Sequence, residues 1–593
     1  MMKLFFLLYI NLYSVIRNVY SKSRNVRSEL RNVRSVLRNI DFYSLNKTFI
    51  LCKSKIFYLL TFLPLPPFTS KCIFFLKNIC IVSVFIVTLQ PKNLGHKFER
   101  NTTKNMKKLY TIVSLMLSSL SIMATDFKDC SMAIKSNIST NIEKSNTTVS
   151  INGSTFSING LKYNNTDLGN VELTNLQVIE GYSDGTKVYA TSAPQYIIIG
   201  GEKVAANFRG EVRNSKFRGI LNLTVNGSNY IAMIGDKADE LGQLPNAGFE
   251  NFHDASGTKE PNGWHSFKTC TGIQSFIAKN AKNTFIESTE KHSGTNCVKV
   301  QSDIIAGTPA NGTMTTGRLH AGSMSADNKA NNSTMDFSAT GKDGNGDPFY
   351  PIITTKPDAM TVWVKFKGNV KDHPYATVKA ILANDKVQDP EKDDYKKNVI
   401  ARATNATIES KNFAWQELNL PFEYANKNTP KGVLVTISTN AEAGKASSDK
   451  SNPDVIYVDD IAMIYNSGLK SAQYKNTTLS FADNKTAIEI EGKASEADFS
   501  IASDGEGAYI SKVLKNNEGE TGKSTLYITI TSNDLQKSNC FEVAITDKTA
   551  TGIFNIKSDS NATSSTLYNL AGQQVSNSYK GIIIKNGKKY INK

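Results

Sequence analysis

The sequence predicts an all-β protein built from several domains in a row. Past the first hundred residues the chain is rich in Asn, Thr, Ser, Gly and Lys. Its short apolar runs alternate with a period of two, which is typical of strands with one buried face, and segments of helical period are almost lacking. The roughly 470 residues from Thr125 onward are also too many for a single hydrophobic core, so we expect two to four domains there.

The first 105 residues stand apart because they carry most of the net charge. They hold 10 Lys and 7 Arg against three acidic residues, so +14 of the chain's +16 lies there. The basic charge therefore gives no reason to expect nucleic-acid binding by the folded part. A seven-residue repeat, "RNVYSKS RNVRSEL RNVRSVL RNI", and two apolar runs at residues 57–68 and 72–89 complete this segment. We interpret it as translation upstream of a true start at Met106; a genuine membrane leader is the alternative.

Residues 106–124 have the three parts of a secretory signal peptide. A cationic head contains Lys107 and Lys108, an apolar stretch covers residues 109–123, and Ala124 is the small residue at the cut. We therefore expect the protein to be exported. The four cysteines beyond the signal suit an oxidising compartment: Cys270 and Cys297 share a domain and could form a disulfide, whereas Cys130 and Cys540 belong to different domains.

Residues 125–241 alternate apolar and polar side chains through several hairpins with polar or Asn-Gly turns, and many antiparallel strands without long loops usually close into a barrel. The segment "GEVRNSKFRGILNLTV" resembles the calycin-like family, whose fold is a lipocalin-like β-barrel. The resemblance implies a barrel mouth that holds an apolar ligand, lined by aromatic residues such as Phe156, Tyr189, Phe208 and Tyr230. The alternative is that these rings simply fill a small barrel.

Residues 245–466 contain six blocks in a fixed order: "LPNAGFENF...EPNGWHSF", "GTMTTGRLHAG", "KPDAMTVWVKFKG", "VIARA", "FAWQELNLPFEY" and "DVIYVDDIAMIYNS". These blocks resemble the PCMD family, a jelly-roll β-sandwich whose name stands for a conjectured carbohydrate metabolism domain. The family occurs in secreted and surface proteins of Gram-negative gut bacteria. The resemblance implies the fold more strongly than it implies a function.

Two shorter segments complete the chain. Residues 467–548 contain alternating strands in a length that suits a small Ig-like β-sandwich. Residues 549–593 include "YNLAGQQV" and "KGIIIKNGKKYI", which resemble the C-terminal sorting tails of type IX secretion cargo. Together with the signal peptide, this tail implies an extracellular location or the outer cell surface of a Gram-negative bacterium, with association to the outer membrane.

The resemblance to carbohydrate-binding jelly rolls also implies a structural calcium ion. In such modules an acidic residue of the opening "GFE" and one of the closing "DD" meet across the sandwich; here these are Glu250 and Asp459 or Asp460. A buried carboxylate needs either a cation or several hydrogen-bond donors, so a metal-free, hydrogen-bonded carboxylate is the alternative. A second acidic motif, "DGNGD" at residues 343–347, lacks the Gly and Glu with which an EF-hand loop would continue and favours a Gly-rich turn.

Aromatic side chains are the usual contacts for sugars, because a flat ring stacks on the apolar face of a pyranose. The candidates are Trp264, which follows a Pro-Asn-Gly turn, and Tyr350, Tyr375 and Tyr395, which lie in polar segments. We expect Trp363 and Trp415 to pack in the core because they lie within strands. His265 and His320 fit no catalytic or metal motif and are interpreted as ordinary core or surface residues.

The function that these patterns favour is that of an exported, non-catalytic accessory protein that binds a polysaccharide or glycan. No nucleophile elbow, phosphate loop or zinc-protease motif is present in the sequence, although a pair of carboxylates for glycoside hydrolysis has no sequence signature. A glycoside hydrolase within the jelly roll is therefore one alternative. The other is a surface adhesin or carrier that holds a ligand in the barrel.

Overall fold

The computed structural model describes residues 124–549, 566–585 and 588–593. This part of the chain contains 38 strands, one helical turn, α1 (Ser275–Ala278), and four short 3₁₀ segments, so the predicted all-β class is confirmed. The proposed leader and all but the last residue of the proposed signal peptide lie outside the described residues. No helix of the described residues has the length and apolar character needed to cross a membrane.

The first domain is one ten-stranded antiparallel sheet that wraps toward a barrel. Its order is β4-β3-β2-β1-β10-β9-β8, after which β8 pairs with both β6 and β7, and β5 follows β6. Strand β4, at one end of the sheet, approaches β7 through the side chain of Gln195. Its amide nitrogen donates to the Thr174 carbonyl at 2.6 Å, and its amide oxygen accepts the Thr174 N–H at 3.2 Å. No backbone ladder joins β4 to β7 in the described residues. The strands are β1 (Thr125–Ser136), β2 (Ser139–Asn152), β3 (Thr155–Tyr163), β4 (Thr166–Leu173), β5 (Gln177–Ile179), β6 (Lys187–Ala190), β7 (Gln195–Ile199), β8 (Glu202–Arg213), β9 (Lys216–Val225) and β10 (Ser228–Ile234).

The interior of this domain is packed with aromatic side chains. Phe156 stacks on Phe208 with ring centroids 4.0 Å apart, and Tyr189 and Tyr230 are buried in the same cluster. The four rings named as lining a ligand mouth thus belong to one buried cluster, as the filled-barrel alternative expects.

The second domain is a sandwich of two five-stranded antiparallel sheets. One sheet has the order β13-β14-β27-β20-β24 and the other β17-β26-β21-β23-β25, and their inner faces form the largest core of the protein. The strands are β11 (Phe252–Asp254), β12 (Lys259–Pro261), β13 (Thr284–Glu287), β14 (Cys297–Gln301), β15 (Asp303–Ile305), β16 (Thr308–Ala310), β17 (Thr313–Thr315), β18 (Arg318–Ala321), β19 (Asn331–Met335), β20 (Ala359–Lys367), β21 (Ala376–Ala383), β22 (Val387–Asp389), β23 (Val399–Ile408), β24 (Trp415–Pro421), β25 (Glu423–Tyr424), β26 (Gly432–Ser438) and β27 (Val455–Ile464).

The structure locates two features that the sequence singled out in this domain, a possible disulfide and the "DGNGD" motif. Cys270 and Cys297 are both free thiols, so the disulfide that they could form is not present in this structure. The "DGNGD" segment is a tight turn, in which the Asp343 N–H donates to the Asp347 carbonyl at 3.0 Å.

The third domain is a small sandwich of a three-stranded and a four-stranded sheet. Its four-stranded sheet has the order β30-β34-β33-β32, with β30 and β34 parallel. The strands are β28 (Leu469–Tyr474), β29 (Thr477–Thr478), β30 (Lys485–Ile490), β31 (Phe499–Ser503), β32 (Tyr509–Asn516), β33 (Lys523–Thr531) and β34 (Ser538–Asp547). Near the C-terminus a separate sheet contains β35 (Leu567–Asn569), β36 (Gln574–Val575), β37 (Gly581–Lys585) and β38 (Lys588–Asn592).

The barrel domain packs against both sandwiches. Tyr182 of the barrel domain lies against Phe337 and Tyr350 of the jelly roll, and Ile220 shares an apolar cluster with Tyr509 of the third domain. The outer face of the β17-β26-β21-β23-β25 sheet is therefore partly covered. The opposite outer face, on the β13-β14-β27-β20-β24 sheet, is the place where partly exposed aromatic residues collect.

Candidate functional site

The outer face of the β13-β14-β27-β20-β24 sheet carries two tryptophans side by side. In β20 alternate residues from Met360 to Phe366 are buried, so strand alternation turns Trp363 and Lys365 to the opposite face. The neighbouring strand β24 pairs Trp415 with Lys365. The expectation that Trp363 and Trp415 pack in the core is wrong: both lie in strands, but both are half-buried on the outer face.

The β13–β14 loop, residues 288–296, folds over this face and adds a third ring. The exposed His292 stacks on Trp363 with centroids 3.8 Å apart and planes 14° apart, and its ring meets Trp415 edge-on at 5.8 Å. Glu290 pairs with Lys365, whose Nζ lies 4.4 Å from the ring centre of Phe413. We call these residues the aromatic face: Glu290, His292, Trp363, Lys365, Phe413 and Trp415.

Two adjacent carboxylates of β27 hold the loop in place. Asp459 is fully buried and accepts the N–H groups of His292 at 3.0 Å and Ser293 at 3.2 Å through one oxygen, while its other oxygen accepts the Asp460 N–H at 2.9 Å. The half-buried Asp460 bonds His292 Nδ1 at 2.7 Å and the Ser293 hydroxyl at 2.9 Å. The two carboxylates therefore fix both the backbone of the loop and the orientation of its imidazole ring.

The third carboxylate, Glu250, fixes the end of the same loop. Its Oε1 accepts the Thr295 N–H at 2.8 Å. Gly294 has a φ of +58°, and a Cβ at this position would lie 1.8 Å from Glu250 Oε1. The sharp approach of the loop to Glu250 thus requires glycine at position 294.

The structure brings together the three carboxylates expected to bind calcium, but around hydrogen-bond donors. Burial raises the pKa of Asp459, the charge of Asp460 raises it further, and the loop N–H groups act in the opposite direction. Both oxygens of Asp459 and of Asp460 have hydrogen-bond donors in this structure, and calcium binding by these carboxylates stays a prediction. Among the described residues, no three His, Cys, Asp or Glu side chains already surround a common ion position.

Two of the predicted sugar contacts are buried in the structure. Trp264 is 0% exposed, packs on Phe249 at 5.2 Å and donates its indole N–H to the Pro245 carbonyl at 3.1 Å. Tyr350 is buried beneath the barrel domain, where its hydroxyl lies 2.9 Å from the Ser183 hydroxyl. Neither ring offers a face to a sugar in this structure.

The other two candidates, Tyr375 and Tyr395, are half-buried and far from each other. Tyr375 precedes β21, and Tyr395 lies in the 3₁₀ segment before β23, which pairs antiparallel with β21. The two tyrosines therefore lie near opposite ends of the same ladder, roughly 25 Å apart for eight residues of strand. They do not form one binding surface.

Comparison of the chain with protein-family models finds no match, and comparison with curated proteins finds none. The candidate site therefore rests on the geometry of the aromatic face. Sequence analysis missed this face, although "TVWVKF" contains the signal: apolar residues at alternate positions fill the core, so the Trp and Lys between them must point outward.

Proposed function

We propose that this protein binds carbohydrate without cleaving it, and that the aromatic face of the jelly roll is the binding surface. The observation that carries the proposal is the meeting of Trp363, Trp415 and His292 on an outer sheet face beside the Glu290–Lys365 pair. Export to the outer cell surface, which the signal peptide and C-terminal tail resemblances support, is part of the proposal.

The chemistry of the aromatic face suits a sugar. A pyranose presents C–H groups on one face and hydroxyl groups at its rim, and these match an aromatic ring with carboxylate and ammonium groups beside it. Trp415 and His292 offer ring surface, and Glu290, Lys365 and the exposed Glu417, which pairs with Trp363 across the strands, offer hydrogen bonds to hydroxyls. Because the loop that carries His292 is held by Glu250, Asp459 and Asp460, part of the surface is ordered before ligand arrives, which lowers the entropic cost of binding.

The test is retention of the purified protein on a panel of immobilised plant and host polysaccharides. We expect selective retention that Trp415→Ala and Trp363→Ala each reduce at least tenfold, because the first removes a ring that stacks on the sugar and the second removes the ring on which His292 is stacked. Tyr375→Ala and Tyr395→Ala are matched controls on half-buried aromatic residues outside the face, and they should bind like the unaltered protein.

The same experiment separates the alternatives. Loss of retention in the tyrosine variants but not in the tryptophan variants would move the site away from the aromatic face. Release of reducing ends from a retained polysaccharide would contradict the non-catalytic part of the proposal and favour a hydrolase. Absence of retention on the whole panel would contradict carbohydrate binding itself, and the packed interior of the barrel gives little support to a carrier of apolar ligands.

A further inference from the structure

A second polar cluster lies in the jelly roll away from the aromatic face, where the β11–β12 hairpin meets the turn at residues 342–348. It contains His253 of β11, Glu260 of β12, His265 just beyond β12, and Asp343 of the turn. The exposure of these side chains is 9% for His253 and 0% for the other three. We call these four residues the buried cluster.

The nitrogen and oxygen atoms of the buried cluster face one another without forming hydrogen bonds. His253 Nε2 lies 3.8 Å from Glu260 Oε2 and 3.6 Å from Asp343 Oδ2, and His265 Nδ1 lies 3.5 Å from the same Asp343 oxygen. All four of these atoms are buried and have no hydrogen-bond partner among the described residues. Four polar atoms thus follow one another at 3.5–3.8 Å without hydrogen-bond partners among the described residues, which is rare because buried polar atoms normally have partners.

Three of these side chains also form hydrogen bonds through their other polar atom. These bonds fix the direction in which the unpartnered atom of each side chain points. Glu260 Oε1 accepts the Ser266 N–H at 2.8 Å, and Asp343 Oδ1 accepts the Asn345 and Asp347 N–H groups at 2.9 and 2.8 Å. His253 Nδ1 lies 3.1 Å from Asn262 Oδ1, an acceptor, so Nδ1 is the donor of this pair and Nε2 is the nitrogen that faces the cluster. Metal-binding histidines and carboxylates are commonly oriented by such outer hydrogen bonds.

We propose that His253, Glu260, His265 and Asp343 bind one divalent transition-metal ion of the zinc class. Ligands at the corners of a tetrahedron around zinc, with bonds of about 2.1 Å, lie about 3.4 Å from one another. Three of the six separations among the four ligand atoms, at 3.5–3.8 Å, are slightly longer than this. Binding would have to bring the other three, among them His265 to Glu260, to the same length.

The ligand types select the class of metal. Two imidazole nitrogens with two carboxylate oxygens suit zinc and related first-row ions, whereas calcium and magnesium prefer sites made of oxygen alone. With four protein ligands and side chains that solvent hardly reaches, the coordination is closed, which is typical of structural rather than catalytic zinc sites. The ion would join the β11–β12 hairpin to the 342–348 turn, which share few other bonds, among them that of the Gly263 N–H to Asp347 Oδ2 at 3.1 Å.

The first experiment measures the metal content of the purified full chain, before and after stripping with a chelator. We expect about one transition-metal ion per chain, and restoration by stoichiometric Zn²⁺ or Co²⁺; bound Co²⁺ should show the intense visible absorption of tetrahedral coordination. His265→Gln and Asp343→Asn should each lose the ion, while His320→Gln, a matched histidine variant outside the cluster, should retain it. Asn262→Ala, which removes only the acceptor that orients His253, should weaken binding about 10–100-fold.

Some results would overturn the proposal. One is a purified protein without metal that takes up neither Zn²⁺ nor Co²⁺ after stripping. The polar atoms of the cluster would then be satisfied by protonation or by a buried water. Another is unchanged metal content in the His265→Gln and Asp343→Asn variants, which would place the ion elsewhere. If those variants fail to fold, the cobalt spectrum of the unaltered chain and its weakening in Asn262→Ala still decide the matter: octahedral absorption, or no effect of Asn262→Ala, contradicts the site.

Discussion

The jelly roll contains two clusters of carboxylates, one of them with two histidines, and the two clusters differ in how their polar atoms are bonded. Glu250, Asp459 and Asp460 hold the β13–β14 loop, and both oxygens of Asp459 and Asp460 have donors from that loop. The buried cluster instead contains four polar atoms without partners. Carboxylates that lie close together do not by themselves indicate a metal site, because hydrogen-bond donors of the protein can occupy their oxygens. Ligand atoms without any hydrogen-bond partner are the stronger indication.

The two clusters are joined by one aromatic contact, and its loss should give the largest effect. Phe249 precedes Glu250, Trp264 precedes His265, and their rings pack 5.2 Å apart. Trp264→Ala would leave a large cavity at this junction and remove the indole N–H bond to Pro245. We expect the free energy of unfolding to fall by about 3–5 kcal/mol, measured by urea denaturation.

Tryptophan fluorescence is a suitable probe, because all three tryptophans lie in the jelly roll and two remain in the variant. Trp363→Ala is the matched control: its ring lies on the outer face, so we expect a loss of about 1 kcal/mol or less. Equal losses for the two variants would show that Trp264 is not a core residue and would break the proposed link between the clusters.

The next largest effect distinguishes Asp459 from Asp460, the two carboxylates of β27 that hold the β13–β14 loop. Asp459→Ala would remove a buried carboxylate and leave the N–H groups of His292, Ser293 and Asp460 without their acceptor, and we expect a loss of about 1–3 kcal/mol of unfolding free energy. Asp460→Ala should cost less, about 1 kcal/mol or below, because solvent can replace its contacts. Urea midpoints with unchanged m-values would measure both, and a larger loss for Asp460→Ala would contradict the assigned roles.

Much of the fold was predictable because strand alternation records burial directly. In "TVWVKF" the period of two marks the inward residues, and Asn-Gly and Gly-rich turns mark the ends of hairpins. The contact between domains was not predictable, because Tyr182 and Phe337 are apolar residues like any other core residue. Their pairing joins residues 155 positions apart, for which one sequence contains no local signal.

The turn at Gly294 gives a smaller, more specific test of the first cluster. Gly294→Ala must place an alanine at a φ of +58° and its Cβ against Glu250 Oε1, so we expect a loss of about 1–2 kcal/mol from the backbone, plus about 1 kcal/mol if Glu250 swings away from the Thr295 N–H. The measurement is a double-mutant cycle with Glu250→Ala. The double variant should be less destabilised than the sum of the two single variants, because the Glu250 bond is lost only once; strict additivity would contradict the contact.

The candidate site was predictable only in part, for a physical reason. Sequence motifs named Glu250, Asp459 and Asp460, which all bond one loop, but they could not show that backbone N–H groups and side chains of the protein donate to those oxygens. Likewise Trp264 follows a turn in sequence yet is 0% exposed, because the β11–β12 hairpin folds it inward. His265 and Asp343 are 78 positions apart in the sequence, and only the folded chain shows that their side chains meet.

Added calcium should have the smallest effect on stability. Its measurement tests most directly whether the two clusters differ in their need for a metal ion. If donors within the protein already satisfy the loop-holding carboxylates, 1 mM Ca²⁺ added to the metal-stripped protein should stabilise it by no more than about 0.4 kcal/mol, the value for a dissociation constant of 1 mM or weaker. Micromolar Zn²⁺ should raise the unfolding temperature of the same sample by several degrees. A comparable rise with Ca²⁺ that Asp459→Ala abolishes would show that the ion competes successfully with the loop N–H groups. The three carboxylates would then be calcium ligands, as the resemblance to carbohydrate-binding jelly rolls implies.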